Sequence, residues 1–183
     1  CSDFAEVTVN YYAQPVANIT AGSGNVCGLL QNVTAVLSTG TGGTWSQVSG
    51  PGTIAFGSTI ALSTTATADA YGSYVVRWTE DNNVCSGTDD ITINYYQTPV
   101  ADAGVGGDEC DLTFLFGAIP SVGTGTWSQQ SGPGTTIFNN ANSPNATATA
   151  SAYGIYVYRW TELNGVCSDF AEVTVNYYAQ PVA

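Results

Sequence analysis

Two stretches of this chain are the same. Residues 1–17 read CSDFAEVTVNYYAQPVA, and residues 167–183 carry that string again without a difference. A diverged third copy, CSGTDDITINYYQTPVA, occupies residues 85–101. Self-similarity at a fixed spacing is the signature of repeat architectures, in which each unit is one small structural module. The spacing is 84 positions from Cys1 to Cys85 and 82 from Cys85 to Cys167, the length of one small domain. The chain therefore holds two units. Residues 1–14 are expected to be the closing strand of a preceding repeat, 15–98 a first repeat, and 99–183 a second repeat with the start of the next connector. With the same segment at each end, the chain reads as a window on a longer tandem array.

Within each unit the pattern is β. Glu6–Tyr12 alternates apolar and polar residues, with Val7, Val9 and Tyr11 on one face and Thr8, Asn10 and Tyr12 on the other, as a half-buried strand requires. Further strands are expected over 32–38, 44–48, 53–56, 61–68, 71–79 and 90–96. Their separators are rich in turn residues, Ser49-Gly-Pro-Gly52 above all, where glycine supplies positive φ and proline fixes its own. The second unit repeats these phrases at an offset of 83 at its first cysteine and 82 from its tryptophan onward. About seven short strands per unit and no helical period indicate two tandem immunoglobulin-like antiparallel β-sandwiches, an all-β fold. Trp45, Phe56, Tyr74, Val76, Trp78, Ile91 and Ile93 are expected to fill the first core. Phe138, Trp127, Tyr156, Tyr158, Trp160, Val173 and Val175 are their counterparts in the second. Pro15 and Pro99 stand in connectors too brief to be loose, so successive domains are expected nearly end to end.

Composition excludes much chemistry. Only 9% of residues are charged, and 14 acids against two bases give a net charge of -12, which opposes binding to nucleic acid or to an anionic membrane surface. There is no His and no Lys, and the bases are Arg77 and Arg159. No Ser-His-Asp or Cys-His arrangement can be built, and no lysine can form a Schiff base. No apolar run reaches the length of a membrane span. An enzyme is not expected, and no cofactor is implied.

Five cysteines remain to be assigned. Each unit owns a pair, Cys27 with Cys85 and Cys110 with Cys167, and Cys1 is left for a partner in a preceding repeat. The expectation is one disulfide per domain, each closing a long loop, for which chain-entropy estimates give roughly 4 kcal/mol. The alternative is buried free thiols. Bridges would imply an oxidising, extracellular or periplasmic compartment.

The phrases GTWSQxSGPGT, YGxYxxRWTExNxVCS and VTVNYY resemble the PKD-like and immunoglobulin-like repeats of very large secreted surface proteins of Bacteroidota, often associated with gliding motility or type IX secretion. The resemblance covers essentially the whole chain, twice, although the W-D-F-G-D-G signature of the better-known PKD pattern is absent. It implies an extracellular, secreted address and a role as spacer, adhesion stalk or fibre unit, with no catalytic residue.

Other candidates carry weaker signals. Glu80 and Glu162 are repeat equivalents three residues beyond Arg77 and Arg159, and read as rim charges or members of cross-strand ion pairs. Asp102, Asp108, Glu109 and Asp111 flank Cys110, and such oxygen-rich stretches can hold Ca²⁺. Their spacing matches no EF-hand loop, so solubilising charge is the expected role. Asn18, Asn32 and Asn145 begin N-x-Ser/Thr triplets that arise easily by chance here. The tyrosine pairs place one ring inward and one outward, making Tyr12, Tyr96 and Tyr178 candidate assembly contacts. The partner expected is another copy or repeat of the chain itself, in a fibre. The rival is an adhesion module that binds a surface glycan or protein.

Overall fold

A computed structural model describes residues 1–181. It contains strands and no helix, so no helix among the described residues is long and apolar enough to cross a membrane. The chain divides into two compact units, Cys1–Tyr95 and Tyr96–Ala183.

The first unit contains β1 (Asn18–Ala21), β2 (Gly24–Cys27), β3 (Leu30–Val36), β4 (Gly42–Ser49), β5 (Ile54–Phe56), β6 (Ser63–Ala68), β7 (Gly72–Asn82) and β8 (Cys85–Tyr96). One sheet has the order β1-β3-β6-β5 and the other β2-β8-β7-β4. The second unit contains β9 (Gly107–Glu109), β10 (Thr113–Leu115), β11 (Thr124–Ser131), β12 (Thr136–Phe138), β13 (Thr147–Ala150), β14 (Gly154–Asn164) and β15 (Cys167–Tyr177). Its sheets are β10-β13-β12 and β11-β14-β15-β9. Each unit is a β-sandwich of immunoglobulin type. The sandwich is not wholly antiparallel, because β9 runs parallel to β15 along the sheet edge.

The alternation read from sequence is what builds the core. Along β7, Tyr74, Val76, Trp78 and Glu80 point inward while the residues between them face outward, and β14 repeats this with Tyr156, Tyr158, Trp160 and Glu162. Large and small side chains face each other across each core. Aromatic rings come from the long strands, with Trp45 at 5.1 Å from Trp78 and Trp127 at 5.3 Å from Trp160 between centroids. The facing strands β6 and β13 supply Ala66, Ala68, Ala148 and Ala150, all buried, and in the second unit Phe114 of β10 and Phe116 add rings from that side, Phe116 stacking on Trp127 at 3.9 Å. Ile91, Phe56 and Phe138 pack at the margin of the cores. Tyr95 and Tyr177, the inward rings of their pairs, are tied as well as buried. Tyr95 Oη donates to Ala66 O at 2.9 Å, and burial pushes its pKa up to about 12.

Two expectations fail. The segment Glu6–Tyr12 forms no strand, although its duplicate at 172–178 contributes to β15. Val7, Val9 and Tyr11 are 84%, 61% and 92% exposed, against 6%, 0% and 1% for Val173, Val175 and Tyr177. The cause is pairing. The second copy lies between β14 and β9, whereas the first meets no strand among the described residues, and a lone strand cannot satisfy its backbone or cover its apolar face.

The second failure concerns the bridges. Cys85 and Cys110 carry free thiols, so neither Cys27–Cys85 nor Cys110–Cys167 forms, and Cys1 is also free. Cys27 and Cys167 are both disulfide-bonded. Strand polarity explains why the expected pairs are impossible. Glu109 is in register with Tyr177, which places Cys110 beside the last residue of β15, while Cys167 is its first residue. Ten residues at about 3.3 Å each separate those positions by roughly 33 Å, against a limit of about 7 Å between the Cα atoms of a bridge. In the first unit Asn94 Nδ2 donates to Asn25 Oδ1 at 2.8 Å, so Cys27 lies near the far end of the strand that Cys85 begins.

Replacing the same residue in the two copies separates sequence from context. Val175→Ala is expected to destabilise the second unit by about 2 kcal/mol through lost burial and a residual cavity. Val9→Ala should change stability by less than about 0.5 kcal/mol. Denaturant midpoints of the two variants check this.

Candidate functional site

What the two units share beyond a core is a pole at which the incoming connector is fastened. β7 and β8 meet in a tight turn at Asn83 and Val84, β14 and β15 at Gly165 and Val166. The connector is laid against this end. Asn82 Nδ2 donates to Ala13 O at 2.7 Å, and Asn164 Nδ2 to Gln97 O at 2.8 Å. Asp89 accepts from the Ile19 amide at 2.8 Å, and Asp169 from the Ala101 amide at 2.9 Å. Pro15 and Pro99 are buried. A Cβ on Gly87 would strike the Pro15 carbonyl, so the connector sits too close to β8 for a side chain at that point.

Beneath the connector lies a buried carboxylate. Glu80 and Glu162 are 0% and 1% exposed, not the rim charges that their spacing suggests, because strand alternation carries them to the inner face two residues beyond Trp78 and Trp160. Neither has a cationic partner among the described residues. Glu80 Oε1 accepts the amides of Ser38, Thr39 and Gly40 at 2.8, 3.0 and 2.6 Å and the Ser38 hydroxyl at 2.9 Å. Glu162 accepts the Ser121 amide at 3.1 Å, the Ser121 hydroxyl at 2.5 Å and Trp160 Nε1 at 3.0 Å. The same serine oxygens then accept from the connector, from Val16 N at 2.8 Å and from Val100 N at 2.8 Å. The relay thus runs from carboxylate to serine to connector in both units. Burial alone would raise the pKa of these carboxyls, yet the converging donors outweigh it and hold both below the ordinary value. In the first unit Trp78 Nε1 and Glu80 Oε2 have no partner among the described residues, so the relay is less fully satisfied there.

The arginines are engaged elsewhere. Arg77 grips Asp90 through Nε and Nη2 at 2.7 and 2.8 Å. Arg159 holds Glu172 at 2.9 and 2.7 Å and lies 3.9 Å from the Phe170 ring centroid. These pairs are cross-strand and partly exposed, and exposed pairs contribute at most about 1 kcal/mol.

The acids around Cys110 do separate jobs. Asp102 accepts from the Gly104 amide, Asp108 from Asn176 Nδ2, and Asp111 from the amide and hydroxyl of Thr113. Glu109 lends its backbone carbonyl to the Tyr178 amide. Among the described residues no group of three or more His, Cys, Asp or Glu is placed to hold a metal, so these four form no cation cage. Of the outward tyrosines, Tyr96 covers Gly165, and its carbonyl oxygen lies 3.7 Å from Cys167 Sγ. Tyr12 and Tyr178 are about half exposed. The serine–glutamate relay escapes sequence reading because Ser38 and Ser121 sit in turns with no motif of their own. The only signal is the Glu two places after an inward Trp on a strand whose other inward residues are apolar.

No protein-family model matches the chain, and no curated protein matches it. Solved structures do. Drosophila OTK extracellular domains 3-5 align over 91% of this chain and 60% of that one, with a TM-score of 0.57 at 13% identity. Sidekick-1 immunoglobulin domains 1-4 align over 93% of this chain and 50% of that one, with a TM-score of 0.49 at 10% identity. The PKD domain from KIAA 1837 protein aligns with 45% of this chain and 91% of its own length, at 22% identity and a TM-score of 0.38. The chain spans 60% and 50% of the length of the two multidomain structures. The likeness to the OTK domains establishes the fold, a tandem pair of immunoglobulin-like sandwiches.

The relay makes stability depend on acid. With folded-state values below the ordinary 4.5, the contribution of Glu80 and Glu162 is whole above that pH and is lost as pH falls through the depressed values. Glu162→Gln should destabilise the second unit by about 2 kcal/mol at pH 7, as expected when a buried charged acceptor is removed from its donors. It should also flatten the acid limb of the stability profile. Thermal unfolding between pH 2 and 7 tests both.

Proposed function

We propose that the chain is a repeat unit of a secreted extracellular fibre or array built from tandem immunoglobulin-like domains, of the kind its repeat phrases resemble in surface proteins of Bacteroidota. The observation that carries this reading is the fastening of both connectors by the same set of contacts. A protein built for catalysis has no need to hold each linker through a buried carboxylate. A protein that transmits position or tension from one domain to the next does. In this reading the units are 15–98 and 99–183, with 1–14 completing a preceding repeat. Cys27 and Cys167 being oxidised supports an oxidising compartment. Low charge density leaves little repulsion between chains, and the exposed Tyr12 and Tyr178, with Tyr96, are the assembly contacts. No catalytic role is assigned to any residue, and no nucleic acid or membrane insertion is involved.

One observation favours the second reading, a glycan- or protein-binding surface of an adhesion stalk. An open cleft is lined by Tyr153, Ile155, Asn176 and Tyr178, and aromatic rings beside an amide are the surface a sugar uses. Negative-stain imaging of the purified chain, with glycan-array binding in parallel, separates the two. Filaments without glycan binding support the fibre; discrete particles at every ionic strength count against it, and selective glycan binding by those particles establishes the rival.

A further inference from the structure

The four core-domain cysteines occupy two kinds of position. Cys85 and Cys167 are the first residues of β8 and β15, at the pole where the connector is fastened. Cys27 closes β2, and Cys110 follows β9. Both of these lie beside the last residues of β8 and β15, at the opposite pole. Every unit therefore carries one cysteine at its head and one at its tail, roughly 30 Å apart along a strand of about ten residues. They cannot bond to each other. Of the four, one tail cysteine, Cys27, and one head cysteine, Cys167, are oxidised. The two that keep thiols are a head cysteine, Cys85, which is partly exposed, and a tail cysteine, Cys110, which is exposed.

We infer that Cys110 of one copy and Cys85 of the next are disulfide partners, so that repeats are joined tail to head by a covalent bond in addition to the connector. The inference rests on the array reading and adds to it the chemistry of the joint. Cys110 is the repeat equivalent of Cys27, and Cys85 of Cys167; the equivalents already in disulfides show that both positions are competent for oxidation in this fold. The remaining pair is complementary, one of each kind, and the same two positions recur in every further copy. Tail-to-head pairing is heterologous, so it propagates and does not close into a symmetric dimer.

The step balances with a small-molecule disulfide such as oxidised glutathione as oxidant. The Cys110 thiolate attacks it, forming a mixed disulfide and releasing one thiol. The Cys85 thiolate of the next copy attacks the Cys110 sulfur and releases the second. One protein disulfide forms, and its two electrons and two protons leave on two glutathione molecules.

The test uses the full chain carrying Cys1→Ser, which removes the thiol on the exposed N-terminal segment. Oxidation with glutathione disulfide should give a reducible ladder in multiples of 18.9 kDa on non-reducing gels. Mass spectrometry of a mixture of light and heavy isotope-labelled chains should find the Cys85–Cys110 peptide pair joined between copies. Adding Cys85→Ser or Cys110→Ser singly should abolish the ladder, and mixing those two variants should restore a dimer and nothing larger. Symmetric Cys110–Cys110 or Cys85–Cys85 dimers forming equally well in the single variants would overturn the inference. So would thiols that remain fully alkylatable after oxidation. Filaments that persist in the doubly substituted chain under reducing conditions would sink the covalent joint while leaving the array reading intact.

Discussion

A carboxylate without a counter-ion, buried in a sandwich core and surrounded by backbone amides, is the interaction on which each unit depends. Burying an ionised group is costly unless its acceptor sites are filled. Glu80 meets that condition at Oε1 by gathering the turn at residues 38–40 around itself, and Glu162 meets it with the counterpart at 121–122. The turn is ordered because the charge needs donors, and the serine at its head is left with an oxygen that faces the connector. Domain stability and linker placement are thereby set by one group. A hydrophobic residue at that position could fill the space, but it would not fix where the preceding residues enter.

Much of the fold was legible in the sequence because the relevant signals are local. The alternation in 71–79 and 153–162 identifies β7 and β14 and their inward rings, and the Ser-Gly-Pro-Gly turns mark where β4 and β11 end. The alanines of β6 and β13 are less visible. Thr-Ala alternation reads as weakly polar until the aromatic layer that covers it is known. What the sequence does not reveal is non-local. Nothing in 24–27 or 107–109 announces an edge strand, and without the direction of that strand the cysteines of one unit look like natural partners. The pairing error and the missed parallel edge are the same omission. The buried glutamates belong to this class too, because their meaning lies in turns about 40 residues upstream.

The duplicated segment makes the limit of local reading concrete. Residues 1–11 are exposed and without regular structure, whereas their identical counterparts, 167–177, form a core strand. β-propensity describes what a segment does when a neighbour offers it a ladder and a face to cover. Val9 and Val175 have the same immediate sequence and opposite environments, so the determinant is β14 and β9 and not the segment.

The parallel seating of β9 against β15 has a mechanical consequence. The chain enters β9 from the connector and leaves from the far end of β15, so tension applied to the two ends of this unit drives the two strands past each other lengthwise. The pairs Val175 with Gly107, Asn176 with Asp108 and Tyr177 with Glu109 would then be loaded simultaneously. A hairpin pulled open from its tips gives way one rung at a time. An edge sheared along its length resists until several rungs break together, which makes a strand of only three residues the clamp that decides how much tension the domain bears.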